Sequence, residues 1–256
     1  MSLRGKIVAL LSVVSVLALL FANSASAATT QSTWCAKHAN VAILGASSET
    51  GYGTTGYPSG ADTFQRTVYG WVTRFTDSLH SEWSTNVQNY SHNGALVADY
   101  LPGGRWSITT GAVADIQTVQ PDLVVINLGG NELWAQVDPA TFQTNLSTLV
   151  DNIRAARPGV DILMGIYAEL NWQPNQWGGS TQNYTWPQYA SIIYNTAVSK
   201  ATALIDLRQY IPSAASTNQP NPSPWLSDGV HLNDAGNLAE YGGWWGWASA
   251  LASICH

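Results

Sequence analysis

Charge is scarce in this chain. Ten Lys or Arg and 16 Asp or Glu make up only 10% of its 256 residues, where about a quarter is usual. The small imbalance is acidic, a formal net charge of −6. A binder of nucleic-acid backbones needs a basic face, so that class is set aside. Cysteine is nearly absent, with only Cys35 and Cys255, too few thiols for a four-ligand zinc site. Phenylalanine is rare as well, at four residues against 12 Trp and 11 Tyr. Trp and Tyr join an apolar body to a polar handle, which suits wet clefts as well as cores. Long apolar runs are missing from most of the chain, so a polytopic membrane protein is excluded. Apolar residues still reach 45%, which rules out a disordered chain.

The one extended apolar run, Ile7 to Phe21, stands at the start. Arg4 and Lys6 precede it and Ala25-Ser26-Ala27 follows. A positive start, a short apolar stretch and a small-x-small site read as a secretory signal peptide cut after Ala27. Residues 28–256 then form a single domain, and the mature protein is extracellular, with no membrane anchor. Losing Arg4 and Lys6 leaves eight basic residues against 16 acidic ones. In an oxidising compartment, Cys35 and Cys255 pair most simply as one disulfide joining the two ends.

Beyond Cys35, short apolar runs alternate with helical periodicity. Strands are expected at Asn40–Leu44, Thr85–Tyr90, Asp122–Asn127, Asp161–Ile166 and Ala203–Leu207. Helices are expected over Thr63–Leu79, around Val113–Val119, through Phe142–Ile153, over Trp186–Ser199, and over Tyr241–Ile254. Strands that are apolar nearly throughout and alternate with helices give an α/β fold, a parallel sheet covered on both faces. The longest irregular stretch is Asn171–Tyr184. A second, proline-rich loop runs from Ser213 to Pro224.

Ligands of an open parallel sheet bind beyond the carboxyl ends of its strands. There the sequence offers Gly45-Ala46-Ser47-Ser48-Glu49, then Asn93-Gly94, then Gly129-Gly130-Asn131-Glu132, and near the end Asp228-Gly229-Val230-His231. These supply a hydroxyl nucleophile, amide donors, and a histidine with a carboxylate three residues before it. Acyl transfer through a serine needs that set. Each block alone is a common turn; their order and placement together carry the inference. No His-x-x-x-His pair or carboxylate cluster suggests a metal-dependent hydrolase or phosphodiesterase.

In these blocks the chain resembles the SGNH hydrolases, the GDSL-type esterases and lipases. The likeness runs from Val41 to about Gly236. It implies a flavodoxin-like three-layer α/β/α sandwich with a mainly parallel sheet. It also implies Ser47 as nucleophile, His231 as base, Asp228 as its orienting acid, and an oxyanion hole of the Ser47 and Gly94 N–H groups and the Asn131 side chain. The implied activity is carboxylic ester hydrolysis on short to medium acyl chains, with a small-molecule or polysaccharide ester as substrate. No cofactor and no metal is implied, and a monomer suffices. Two positions depart from the family's blocks, Ala46 and Glu132, where aspartates are usual. An acyltransferase using the same serine, or a carbohydrate-binding protein on a decayed hydrolase, are the alternatives.

Other residues carry lesser readings. Trp134, Trp172 and Trp177 are candidate substrate-binding aromatics. In Trp244-Trp245-Gly246-Trp247, at least two indoles are expected in the core. Ser48 competes with Ser47 for the nucleophile's place. Glu49 reads as a helix N-terminal carboxylate, Asp206 as a cap, and His92 as a surface or loop histidine. Asn89, Asn145 and Asn183 match the glycosylation pattern.

Overall fold

The computed structural model describes residues 32–170, 182–211 and 224–254. Five strands build one sheet: β1 (Asn40–Gly45), β2 (Asn86–Asn89), β3 (Leu123–Asn127), β4 (Asp161–Ile166) and β5 (Ala203–Asp206). All pairings are parallel and the spatial order is β2-β1-β3-β4-β5. This is the doubly wound order, in which the chain runs outward from β1 in both directions.

The strands are apolar nearly throughout because both faces are covered. Alternate residues serve two cores. Ala42, Leu44, Val124, Ile126, Ile162 and Met164 point into one cluster, together with Ile116, Phe142, Leu146 and Ile193. Val41, Ile43, Leu123, Val125 and Leu163 point into the other, against Trp71, Phe75, Leu79 and Trp244. The helices follow from this division. Nine are described: α1 (Thr33–Ala36), α2 (Ser47–Thr50), α3 (Trp71–Trp83), α4 (Ser107–Thr110), α5 (Ala112–Val119), α6 (Gly130–Ala135), α7 (Pro139–Ala156), α8 (Trp186–Ser199) and α9 (Asp234–Ile254). Helices α5, α7 and α8 cover the first face, α3 and α9 the second. Three layers result, as the sequence implied.

Most elements fall where periodicity placed them; two do not. The helix expected from Thr63 begins only at Trp71. Val68, counted in its apolar stripe, is 74% exposed. Residues 51–70 are instead a loop fastened by side chains. Thr67 Oγ1 meets Thr54 Oγ1 at 2.8 Å and accepts from Gly70 N at 3.0 Å. Those bonds hold the backbone out of a helix until Gly70 has passed. The last helix begins seven residues before Tyr241, at Asp234. Asn233 Oδ1 accepts from Ala235 N and Gly236 N, both at 3.0 Å, the N-cap arrangement that starts it.

Trp244 is fully buried and stacks on Trp71 with ring centroids 5.3 Å apart, and Trp245 lies 5.5 Å from Trp83. Trp244 is therefore a core residue, and Trp245 and Trp247, both partly buried, pack against that core. The proposed signal peptide, Trp172, Trp177 and Cys255 lie outside the described residues, so the expected cysteine pairing does too. Among the described residues, no helix is long and apolar enough to cross a membrane. Phe75 is wholly buried between α3 and the sheet and touches none of the candidate chemistry. Phe75→Ala is expected to cost about 3–5 kcal/mol of stability, read from the urea midpoint, with the reactivity of the remaining folded protein unchanged.

Candidate active site

The sheet order decides where the polar blocks meet. β1 lies between β2 and β3, so the turn after β1 is flanked by the turns after β2 and β3. Ser47 opens α2 immediately beyond β1. Gly94 follows β2, and Asn131 lies in α6, which follows β3. The segment 224–233 closes the fourth side through Asp228 and His231.

Ser47 Oγ is 3.0 Å from His231 Nε2, and His231 Nδ1 is 2.7 Å from Asp228 Oδ2. The second oxygen of Asp228 accepts from Val230 N at 2.8 Å and His231 N at 2.7 Å. The carboxylate therefore folds its own turn while it orients the ring. Partial burial raises the Asp228 pKa, but the His231 bond, the His231 charge and the two backbone donors outweigh it and hold the carboxyl below its ordinary value. Ser48 Oγ turns the other way, to Glu240 Oε2 at 2.8 Å. Of the two adjacent serines, only Ser47 faces the imidazole.

Gly53 lets this geometry close. It has φ +89°, and a Cβ there would lie 2.7 Å from Leu232 O and 3.0 Å from His231 Cβ. The loop after α2 thus packs directly on the histidine turn.

Gly94 and Asn131 border the same cleft as Ser47 and His231, a cavity of about 530 Å³. Asn131 Nδ2 donates to Ala95 O at 3.0 Å, which ties the two loops together and fixes the amide plane. The Gly94 loop is braced from behind. Arg105 Nη2 donates to Gly94 O at 2.7 Å and to Asp99 Oδ2 at 2.6 Å, while Asp99 Oδ2 accepts from Leu96 N at 2.7 Å. The Arg105 guanidinium also lies over Trp106, whose other neighbour is His92, stacked at 3.7 Å. His92 is thus a loop histidine, as one half of the expectation had it, but a buried one. Its ring Nδ1 meets Asn93 O at 2.9 Å, so it supports the loop from below.

The cleft walls include two exposed aromatics. Trp134 is 52% exposed. Tyr52, 39% exposed, lies with its ring centroid 4.4 Å from that of His231. The sequence reading missed Tyr52. Its signal was the flanking pair Gly51 and Gly53, which hold a bulky ring on a tight turn five residues after the serine. A second, small cavity of about 40 Å³ adjoins Ser47 and Asn131, walled by Leu128, Tyr167, Leu170 and Val230. A larger cavity, about 900 Å³, opens at the β5 edge beside Tyr194, Tyr210 and Trp247. It holds none of the nucleophile, base or amide residues, so chemistry rather than size selects the cleft. Among the described residues no cluster of ligands could hold a metal ion.

Two lesser readings also resolve. Asp206 accepts from Arg208 N at 3.1 Å and pairs with its guanidinium, the capping role expected. Asn89 is committed to the interior. Its Nδ2 donates to Glu49 O at 2.8 Å and its Oδ1 accepts from Ser91 N at 2.8 Å.

Glu132, at one of the two departures from the family's blocks, is fully buried. Its Oε1 accepts from Val97 N at 2.6 Å, while Oε2 has no partner among the described residues. Burial, with Asp99's charge adding to it, pushes its pKa up to about 7 against the pull of backbone N–H bonds. A carboxyl raised in the folded state binds more protons there than in the unfolded chain. Its stabilising effect is complete below the ordinary value near 4.5 and is lost as pH rises through about 7. Glu132→Gln keeps the acceptor for Val97 N and cannot ionise. Chemical unfolding from pH 5 to 8 is therefore expected to show the wild type losing stability relative to this variant, on the order of 3 kcal/mol.

Known proteins of similar sequence and fold identify the family. The model of the GDSL-like Lipase/Acylhydrolase family matches residues 43–239. No match was found among curated proteins. Similar solved structures include Est24, a carbohydrate acetylesterase from Sinorhizobium meliloti, at 16% identity and TM-score 0.61, covering 84% of this chain and 99% of that one. Axe2, an acetylxylan esterase from Geobacillus stearothermophilus, follows at 17% identity and TM-score 0.59, covering 83% and 94%. The psychrotrophic esterase EstA from Pseudoalteromonas sp. has 19% identity and TM-score 0.54, covering 82% and 98%. At these identities the structures speak for the fold, and the family match extends over most of the chain: this protein belongs to the GDSL-like lipase/acylhydrolase family of carboxylic ester hydrolases.

Proposed function

We propose that this chain is an exported serine esterase that removes short acyl groups, through an acyl-enzyme, from esters whose alcohol part is a carbohydrate. The observation that carries the reading is the unbroken line Asp228–His231–Ser47, at 2.7 and 3.0 Å, opening onto one cleft.

The chemistry follows from the atoms in place. His231 Nε2 takes the proton of Ser47 Oγ as that oxygen bonds to the ester carbonyl carbon. Asp228 stabilises the imidazolium so formed. The carbonyl oxygen becomes an oxyanion among the N–H groups of Ser47 and Gly94 and the remaining hydrogen of Asn131 Nδ2. Collapse breaks the ester C–O bond, and His231 returns its proton to the leaving alcohol. Water, deprotonated by His231, then attacks the acyl carbon, and as the acyl C–O bond breaks His231 returns that proton to Ser47 Oγ, releasing the acid. Asn131 stays neutral throughout, so it favours the oxyanion without binding an anionic ground state more tightly.

Two features support the substrate class. The cavity of about 40 Å³ beside Ser47 is a few times the roughly 10–15 Å³ that admits one water, so it suits an acetyl tail and not a long chain. The open side carries Tyr52 and Trp134, whose apolar faces suit the flat face of a sugar ring. A carbohydrate acetylesterase and an acetylxylan esterase of similar fold point the same way. Cleavage after Ala27 and a Cys35–Cys255 disulfide complete the reading of an extracellular enzyme.

The test is turnover of p-nitrophenyl esters from acetate to decanoate, beside acetylated xylan, by the mature protein. Acetate is expected to lead, with decanoate reduced by about 10²-fold or more, since a chain that cannot be seated loses its orientation. Ser47→Ala should fold normally and lose at least ~10³-fold in kcat, and Asn131→Ala about 10²–10³-fold. A flat chain-length profile would discard the short-acyl assignment. Full activity in Ser47→Ala would discard the serine mechanism.

A further inference from the structure

Beneath the Ser47 turn lie two buried glutamates that the reaction above does not use. Glu49 is in α2 and Glu240 in α9, and both are almost completely shielded from solvent. One amide joins them: Asn127 Nδ2 is 2.7 Å from Glu49 Oε1 and 3.1 Å from Glu240 Oε1. A single NH₂ group spends its two hydrogens on two carboxyls. No cation is among the charges acting on either. The other titratable groups that reach them are Tyr167, beyond β4, and Tyr100, whose hydroxyl donates to Gly45 O at 2.7 Å and accepts from Gly45 N at 2.9 Å. Asp228, on the histidine turn, also acts on Tyr167. All of these are neutral or negative.

The cluster is built around its backbone. A Cβ on Gly45 would fall 2.3 Å from Glu49 Cγ and Oε2, and one on Gly165 would fall 2.8 Å from Asn127 Oδ1 and 2.7 Å from Trp244. Only glycine at these points admits the carboxyl and its amide. Glu49 in turn determines the turn above it, because its Oε2 accepts from Ala46 N at 2.7 Å. Glu240 Oε2 meets Ser48 Oγ at 2.8 Å. The residues on either side of Ser47 are thus each tied to one member of the pair.

We propose that Glu49 and Glu240 hold one proton between them, and that this half-ionised pair positions the Ser47 turn for reaction. The inference rests on Ser47 being the nucleophile. The donor count assigns the proton. Both oxygens of Glu49 already face N–H donors, Ala46 N and Asn127 Nδ2, so Glu49 is the carboxylate. Glu240 Oε1 faces Asn127 Nδ2 and, at 3.3 Å, Trp244 Nε1. Its Oε2 faces only Ser48 Oγ, whose hydroxyl donates to it when Glu240 is ionised and can turn to accept when Glu240 holds the proton, a freedom that the N–H donors on Glu49 lack. Two anions this close in a dry interior would repel each other. Burial and the mutual charge push Glu49 up, and burial alone holds Glu240 near neutrality, at about 7. Raising the pH removes the shared proton, turns the pair into two like charges, and loosens the turn while leaving the cleft walls in place. Glu49, which borders the small cavity beside Ser47, and Glu240 act through the Ser47 turn and are positioning residues.

The experiment is the pH profile of kcat and KM for p-nitrophenyl acetate with wild type, Glu240→Gln and Glu49→Gln. The wild type is expected to lose kcat on the alkaline side with KM unchanged. Glu240→Gln places an amide donor opposite Ser48 at every pH, so its alkaline limb moves up by about one pH unit or more. Glu49→Gln sets an NH₂ against Ala46 N or Asn127 Nδ2, so kcat falls roughly 10–100-fold at every pH and KM holds. A wild-type kcat flat into the alkaline range, or an alkaline limb that stays put in Glu240→Gln, overturns the proposal. So does equal damage from both substitutions, the mark of a merely structural cluster. Thermal midpoints against pH are also measured for Ser47→Ala alone and for Ser47→Ala combined with Glu240→Gln. There the midpoint should fall with rising pH in both, through Glu132, and more steeply where Glu240 is present. An invariant difference overturns the pair by itself, whereas activity surviving in Ser47→Ala overturns only the nucleophile.

Discussion

One ordering constrains everything at the site: β1 lies inside the sheet, between β2 and β3. A turn that leaves an interior strand has neighbours on both sides, while a turn at an edge has one. Ser47 stands on such a turn, and the loops bearing Gly94 and Asn131 reach it from β2 and β3 without spanning any distance. The fourth contributor, His231, comes from far along the chain. Its segment is closed by an antiparallel bridge between Leu226 and Leu232 and is seated on Gly53. The topology thus converts four remote stretches of sequence into neighbours, and short side-chain bonds then fix distances to tenths of an ångström.

Charge is scarce in this protein, and the structure shows where the acidic side chains are spent. Asp228 holds the His231 ring, and Asp99 locks Arg105 behind the Gly94 loop. Glu49, Glu132 and Glu240 are buried and accept from backbone or amide N–H groups at the roots of the site loops. Buried carboxyls usually cost stability unless they are paired or neutral. Here the donors are the N–H groups that strand-to-helix turns leave without partners. The carboxyls replace the missing acceptors and fix the turns, so the site is rigid where a loop alone would fray.

Much of this was legible in the sequence, for a physical reason. Strands covered on both faces are apolar at every position, so Leu123–Asn127 and Asp161–Ile166 stand out. Asp228 and His231 fall on one turn, which Ser47 joins through the fold. Tertiary supports were not legible. Thr67 delayed α3 by using its hydroxyl on Thr54 and Gly70 N, partners that no helical period reveals. His92 is buried because Trp106, 14 residues on, stacks on it. Glu240 fell just before the helix expected from Tyr241, outside its tryptophan-rich stretch, and carried no reading. Its role depends on Ser48, 192 residues away.

The two departures from the family's blocks gain a common explanation. A carboxylate at position 46 would stand beside Glu49, which already accepts from the backbone of that residue, and would add a charge with no cation to meet it. Alanine removes the conflict and packs its methyl on the core. At position 132 the added methylene of glutamate reaches Val97 N across to the next loop. The bracing is therefore redistributed. The carboxyl under the nucleophile comes from a residue two positions after the serine, and the one under the amide loop comes from a longer side chain. The reacting groups keep their places because they depend on which N–H groups are held, and carboxyls on different residues can hold the same ones.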